Sequence, residues 1–462
     1  MARELQSLVD WVKGRGGLSS VQVYDTGKAA VWAEATPDAA LNPASNMKLL
    51  TAAVALKKLG PEYRFSTGLY GEIKQGQVDP LVLRGHGDPS LGVADLWQLA
   101  QALSHLGVTS VGSILVDQAR FDDQFVPPAF EQQPDEWAGF RAPVSAVAIQ
   151  QNAVTLHVSP TSAGKPARAW IEPPGVASLE GSIETQKPGS GEAIQLSLEP
   201  RGPDLLMRLG GHVAQGLPRL RFDRRLDDPR RAPGLALREL LRESSVEVRG
   251  AVALGGGGVK QRLVFHESEP LAELLHELGK YSDNFYAEML FKVLGAEFSA
   301  VPATSLDGAR VVTDWLRGEG ALGPDTRVVN GSGLFDANRV SAATLTGVLR
   351  AMQRDPTVYP EFAAQLSMGG VDGTLRSRFR TRNGRRLVRA KTGTLSACIA
   401  LSGYVSGARG SAPIAFAFII NGIEGHTGEA RQRIDRVVEA IAEDLAQNVA
   451  RDVSQDRATT AR

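Results

Sequence analysis

Ser45 and Lys48 stand three residues apart at the head of an apolar run, Leu49-Leu-Thr-Ala-Ala-Val-Ala-Leu56. Met47, Leu50, Val54 and Leu59 recur at helical spacing and Gly60-Pro61 closes the pattern, so a buried helix is predicted with Ser45 in its first turn. Residues three apart on a helix share a face, which sets the Lys48 amine beside the Ser45 hydroxyl. An amine kept partly neutral by burial and neighbouring positive charge can take a serine proton without any histidine. The helix N-terminus adds N–H groups where a carbonyl oxygen would become negative. These are the parts of serine acyl transfer. A second Ser-x-x-Lys, Ser162 to Lys165, lies among Pro160, Gly164 and Pro166, where a helix is not expected, so that pair shares no face.

Two further clusters have types suited to the same chemistry. Ser282-Asp283-Asn284 falls in a short connection between two helical patterns, where a hydroxyl and an amide can point into a shared cleft. Lys391-Thr392-Gly393 lies at a strand, and its glycine lets a ligand approach the backbone closely. Ser-x-x-Lys, Ser-Asp-Asn and Lys-Thr-Gly form the set that marks class A β-lactamases and penicillin-binding proteins. Other residues carry less. His276 and Glu277 lack the second histidine of a zinc helix, so neither metal nor cofactor is expected. His86 reads as a turn residue. Cys398, the only cysteine, reads as a small buried residue of an apolar strand.

The elements that must position these residues follow from the rest of the chain. At 462 residues, two or three domains are expected. Lys+Arg and Asp+Glu are both 51, which leaves no basic surplus and disfavours a nucleic-acid role. No stretch is long and apolar enough to span a membrane. Met1-Ala-Arg-Glu-Leu lacks the pattern of a signal peptide, so the protein is cytoplasmic or a signal has been trimmed from this chain. Helical spacing covers residues 4–13, and Leu271 to Leu278 with a break at Gly279. It returns at 311–316 and 345–352, and in a last helix through Ile434, Val438 and Leu445. Strands are read at 21–25, 30–32, 399–405 and 414–420, and residues 144–222 are strand-rich. The expected fold class is α+β, an antiparallel sheet flanked by terminal helices with a helical subdomain and a long β-rich insert. Residues 1–63 and 263–462 would form the discontinuous catalytic domain and 64–262 the insert, as two small β-rich subdomains.

With these motifs the sequence resembles peptidase family S13, the D-alanyl-D-alanine carboxypeptidases or low-molecular-mass class C penicillin-binding proteins. The resemblance rests on Pro43-Ala-Ser-Asn-Met-Lys-Leu-Leu-Thr51, Gly85-His-Gly-Asp-Pro-Ser-Leu91, Ala142-Pro-Val-Ser-Ala146, Tyr281-Ser-Asp-Asn284, Gly331-Ser-Gly-Leu334, Val371-Asp-Gly-Thr-Leu375 and Ala390-Lys-Thr-Gly-Thr-Leu395. It implies a penicillin-recognising, transpeptidase-like domain interrupted by the insert. It also implies a catalytic set of Ser45 as nucleophile, Lys48 as base, Ser282 and Asn284 on the leaving group and peptide amide, and Lys391 as the positive charge. By the same resemblance Thr392 and Thr394 receive the terminal carboxylate beside Gly393, and the N–H groups of Ser45 and Thr394 hold the oxyanion. The partners implied are peptidoglycan stem peptides, with β-lactams as acylating inhibitors, in a periplasmic or otherwise extracytoplasmic setting. D,D-endopeptidase work on cross-links belongs to the same family.

The chain also departs from the family pattern. The motif usually written Asp-Gly-Ser-Gly-Leu-Ser-Arg reads Asn330-Gly-Ser-Gly-Leu-Phe335-Asp336, and Phe140 stands where tyrosine is frequent. With Asp135 in the same insert segment, Asp336 is expected to make the pocket for the third stem-peptide residue more acidic, favouring lysine or amidated diaminopimelate. Two alternatives remain beside the carboxypeptidase. A β-lactamase or esterase of the same fold is one, although no Glu-x-x-Leu-Asn lies between Asn284 and Lys391 to drive deacylation. A catalytically weak wall-binding protein is the other, and the intact Ser45 and Lys48 argue against it.

Overall fold

The computed structural model describes residues 1–460 apart from 135, 202–203, 257, 383 and 408–411; the side chains of 200, 204 and 448–460 also lie outside the description. Contacts divide the chain into two compact units. The first comprises residues 1–63, 127–132 and 269 onward, and the second 64–126 and 133–268.

The first unit is built on an antiparallel sheet of six strands in the order Ser367–Met368, Val388–Leu395, Cys398–Val405, Ile414–Asn421, Leu18–Asp25 and Ala30–Ala35. Side chains alternate between the faces of a strand, and each face has its own cover. Val21, Val23, Ile399, Leu401, Val405, Phe416, Phe418, Val388 and Ala390 join a core with Leu5, Leu8 and Val12 of the helix Ala2–Lys13 and with Ile434, Val437, Val438 and Ile441 of the helix Thr427–Thr460. The residues between them meet the helix Ala342–Gln353 on the other face: Ser20 Oγ accepts from Ala342 N at 2.9 Å, Tyr404 Oη donates to the Leu349 carbonyl at 2.6 Å, and the Arg350 guanidinium lies 3.9 Å from the Tyr24 ring centre. Gln22 pairs there with Thr346. This alternation places Lys391, between the core residues Val388 and Ala390 and the strand's end, in register with Ser402.

The helix Met47–Leu59 is buried on every side from Met47 to Leu56, as expected for a helix apolar all round and enclosed by other helices. Its neighbours include Leu271–Lys280, Asn284–Phe298, Ser305–Gly318 and Ala342–Gln353. The Leu271 helix ends at Lys280, one residue past the break that the sequence predicts at Gly279. Gly279 is a contact residue there, since a Cβ would lie 1.9 Å from Gln365 Oε1 and 2.2 Å from the Gln365 carbonyl oxygen. Propensity read the glycine as a stop, whereas packing uses it as a gap for the neighbouring chain.

The second unit centres on a mixed sheet of five strands in the order Val252–Leu254, Ile114–Asp117, Leu81–Gly85, Ser66–Tyr70 and Arg262–Glu267. Ile114–Asp117 runs parallel to both of its neighbours. The helices Val93–His105 and Ala232–Glu243 bury Leu96, Leu99, Leu103, Leu237 and Leu241 in its core. Smaller sheets, including an antiparallel one of Leu220–Arg225, Ala153–Ser159 and Arg168–Glu172, complete the unit. Ser162 and Lys165 fall in a turn here, where the Lys165 N–H bonds the Ser162 carbonyl, and not on a helix. His86 holds the Ser66 carbonyl through Nδ1 at 2.9 Å, a structural contact.

Candidate active site

All the catalytic candidates drawn from the three motifs meet in the first unit. Ser45 lies in a 3-10 turn, Ala44–Asn46, that runs straight into the Met47 helix. Lys48 Nζ is 3.1 Å from Ser45 Oγ and donates to Asn284 Oδ1 at 2.7 Å and to the Ser332 carbonyl at 2.8 Å. An ammonium has three donors, and all three directions are used here. Once the amine is neutral, Asn284 and Ser332 still take its two N–H groups, so the lone pair is left aimed at the serine.

Asp283 caps the Asn284–Phe298 helix, its Oδ1 accepting from Tyr286 N at 3.0 Å, which fixes Asn284 at the first helical position. Ser282 precedes it at φ +63°, a left-handed conformation uncommon outside glycine and asparagine. Lys391 Nζ donates to Ser282 Oγ at 2.7 Å and to the Thr392 carbonyl at 2.9 Å. Because Ser282 accepts from Lys391, its own proton is left to give elsewhere.

Gly393 brings the strand against the serine turn. A Cβ there would stand 2.9 Å from the Pro43 carbonyl oxygen and 3.1 Å from Ser45 N. Asn46 ties the same two segments by donating to the Lys391 carbonyl at 3.1 Å. Thr394 is exposed near the end of this strand. The Thr392 hydroxyl donates to Thr374 Oγ1 at 2.9 Å, so a second hydroxyl stands at that edge.

The electrostatics follow from burial. Lys48 and Lys391 are both fully buried. Desolvation pushes Lys48 down to about 7, against the pull of Glu288 and Asp283 in the other direction. Lys391 is held well below the usual lysine range, by burial first and by the positive charge of Lys48 second. Two amines this close titrate as a pair. Cys398 is no nucleophile: burial pushes its thiol up to about 12, and Sγ donates to the Asn42 carbonyl at 3.1 Å.

Three contributors were not given roles by the sequence reading. Glu288, 2% exposed, accepts from Ser332 N at 2.7 Å and from Gly331 N at 3.1 Å. Burial raises its pKa and those hydrogen bonds oppose the rise. The Gly331-Ser-Gly333 loop offers the Ser332 carbonyl to Lys48, and Gly333 (φ +75°) must be glycine, because a Cβ would fall 1.9 Å from the Ala44 carbonyl oxygen. Thr374 is the third. The signal for Glu288 was available, as an acidic residue four positions after Asn284 on the same face of a largely apolar helix.

Asp336 is already engaged by neighbouring side chains. Arg339 grips it through two nitrogens at 2.6 and 3.2 Å, and Asn42 Nδ2 donates to it at 3.1 Å. The Arg339 bond holds its carboxyl below the usual range. The Arg339 guanidinium three residues later therefore sits against the Asp336 carboxylate. Asp135, paired with it in the expectation of an acidic pocket, lies outside the described residues.

The comparisons agree with this geometry. The model of the D-Ala-D-Ala carboxypeptidase 3 (S13) family matches residues 6–443. The chain belongs to that family. It is thereby a peptidase, a hydrolase of the D-Ala-D-Ala carboxypeptidase class. A D-alanyl-D-alanine carboxypeptidase of Actinomadura sp. (strain R39) is 33% identical over 438 residues, 90% of this chain and 79% of that one. The crystal structure of penicillin binding protein 4 (dacB) from Haemophilus influenzae shares the fold of this S13 chain at TM-score 0.77 and 22% identity, covering 96% of this chain and 99% of that one. The same protein is known in complex with a β-lactam. Bd3459, a predatory peptidoglycan endopeptidase from Bdellovibrio bacteriovorus, shares the fold more distantly, at TM-score 0.56 and 16% identity over 92% of each chain. No helix among the described residues is long and apolar enough to cross a membrane.

Proposed function

We propose that the enzyme removes the terminal D-alanine from peptidoglycan stem peptides through an acyl-enzyme on Ser45. Neutral Lys48 takes the Ser45 proton as Oγ bonds the carbonyl carbon of the penultimate D-alanine. The N–H groups of Ser45 and Thr394 receive the oxyanion, and Asn284 holds the peptide amide. The C–N bond breaks as the proton held by Lys48 is relayed through the Ser282 hydroxyl, which Lys391 orients, to the leaving amine, leaving Lys48 neutral and Ser282 protonated. Lys391 also keeps the site positive for the terminal carboxylate, received by the Thr392 and Thr394 hydroxyls. Water then adds to the ester as neutral Lys48 takes its proton, and Lys48 returns that proton to Ser45 Oγ as the ester bond breaks.

The observation that carries this reading is the Ser45–Lys48 pair at 3.1 Å, with Asn284 and Ser332 occupying the other two directions of the amine. β-Lactams present the same acyl carbonyl and would acylate Ser45. Both oxygens of Glu288 are engaged by backbone N–H groups, so it is not placed to serve as the extra deacylating glutamate of a class A β-lactamase. That argues against a β-lactamase. A substrate in the wall puts the enzyme outside the cytoplasm.

The test is mass spectrometry of purified muropeptides after incubation with the enzyme. Loss of one D-alanine from pentapeptide stems is expected, and cleavage of cross-linked dimers in the same digest would reveal endopeptidase work. Neither product forming, with Ser45 labelled by penicillin, would leave a binding protein and defeat the reading.

A further inference from the structure

We propose that the first unit carries a second ligand site, a cavity walled by Arg376, Arg380 and Arg385 that takes a phosphoryl group. Residues 376–389 contain seven arginines and no acidic residue. The backbone gathers three of them around a concavity of about 440 Å³ that Gly370, Val371 and Ser377 also line. One arginine of this run has its charge answered, Arg378, which is clamped by both oxygens of Asp435. Among the described residues no carboxylate pairs with Arg376, Arg380 or Arg385. Three like charges around one hollow repel each other and raise a positive potential inside it. An external anion relieves that repulsion.

The walls are held in place without the anion. Gly370 N donates to the Leu375 carbonyl at 3.1 Å and Arg386 N to the Gly369 carbonyl at 2.9 Å. Gly370, at φ +66°, has no side chain to fill the floor, and a Cβ there would press on Arg385 Cγ at 3.1 Å. Phe379 turns the chain at φ +54°, rare for an aromatic, and its ring is anchored in the sheet core at 3% exposure. A backbone held in a sparsely populated conformation between two cavity arginines is a pre-organised one.

Guanidinium groups bind oxyanions through paired N–H donors. A carboxylate is flat and accepts one such fork well, whereas a tetrahedral phosphoryl group offers oxygens in three directions to three arginines. The hollow is concave, which suits a discrete phosphate mono- or diester and not the plane of a membrane. Arg376 follows by two positions Thr374, which accepts from Thr392, and no catalytic residue lines the cavity.

The test is calorimetric titration of the full chain with inorganic phosphate and with glycerol 3-phosphate at constant ionic strength, set against chloride. The comparison is a variant carrying Arg376→Gln and Arg385→Gln. Saturable one-to-one binding is expected, at least about tenfold weaker in the variant, with penicillin labelling of Ser45 unchanged as the control for folding. Equal affinity in parent and variant, or no saturable binding of either phosphate compound, overturns the proposal. Pelleting with phosphatidylglycerol vesicles separates the sources. Arginine-dependent pelleting alongside soluble phosphate binding marks a lipid headgroup, and phosphate binding without pelleting marks a soluble or polymer phosphate. Pelleting without soluble phosphate binding marks a membrane-contact surface and defeats the proposal.

Discussion

Glu288 is joined to Lys48 through a single residue, Ser332, whose N–H donates to the Glu288 carboxylate at 2.7 Å while its carbonyl accepts from the Lys48 amine at 2.8 Å. The carboxylate therefore acts on the base in two ways. It fixes the peptide that orients the amine, and its charge favours the protonated form.

The pH profile should report the coupled Lys48–Lys391 pair, with Lys48 the member that must be neutral for attack. Its amine titrates near 7, and only the neutral form accepts the Ser45 proton, so the active fraction grows as pH rises. The expectation is an acylation rate that climbs through about pH 7 and then levels. Stopped-flow kcat/KM with a chromogenic β-lactam measures it, and a flat profile between pH 5 and 9 would contradict the assignment.

Glu288→Gln removes a charge that stabilises Lys48 in its protonated form. The ascending limb should move to lower pH, while the amide, which donates where a carboxylate accepted, leaves one backbone N–H poorly paired at a cost of about 1–3 kcal/mol. A loss of stability with an unmoved limb would reduce Glu288 to a structural residue.

Ser45→Ala should abolish attachment of labelled penicillin and lower turnover by on the order of 10⁶, the scale of nucleophile loss in serine hydrolases. Peptide mapping of the labelled parent locates the ester. Undiminished labelling of the alanine variant is the adverse result.

The two lysines should respond differently to arginine. Lys48→Arg removes the amine that stands beside Ser45 Oγ to accept its proton, since a guanidinium stays charged, and acylation should nearly vanish. Lys391→Arg keeps a positive charge beside Ser282 and should retain measurably more activity. Equal losses in burst-phase acylation would erase the distinction.

Gly333→Ala forces a Cβ to 1.9 Å from the Ala44 carbonyl oxygen in a left-handed conformation. Destabilisation of about 3 kcal/mol or more is expected by denaturant titration, with slowed acylation because the Ser332 carbonyl moves off Lys48. An unchanged midpoint would show that the loop yields without cost.

The chemistry was legible in the sequence because it depends on residue type and short spacing. Ser45 and Lys48 are brought together by helical geometry alone, and the order of the three motifs, with their family resemblance, names the reaction. The sheet strands and most helices were legible too, since one buried face imposes a period of 2 or 3.6. What the sequence could not decide depends on chain segments far apart. Gly279 stops a helix by propensity, but in the fold it makes room for Gln365. Asp336 reads as an unpaired carboxylate in its motif, and only the fold shows Arg339 and Asn42 holding it. Glu288 reads as one more helical carboxylate until Gly331 and Ser332, 43 and 44 positions further along, close over it. Local periodicity is a property of neighbours, whereas the charge state of a buried amine is set by whatever the tertiary fold packs against it, and only the fold names those groups.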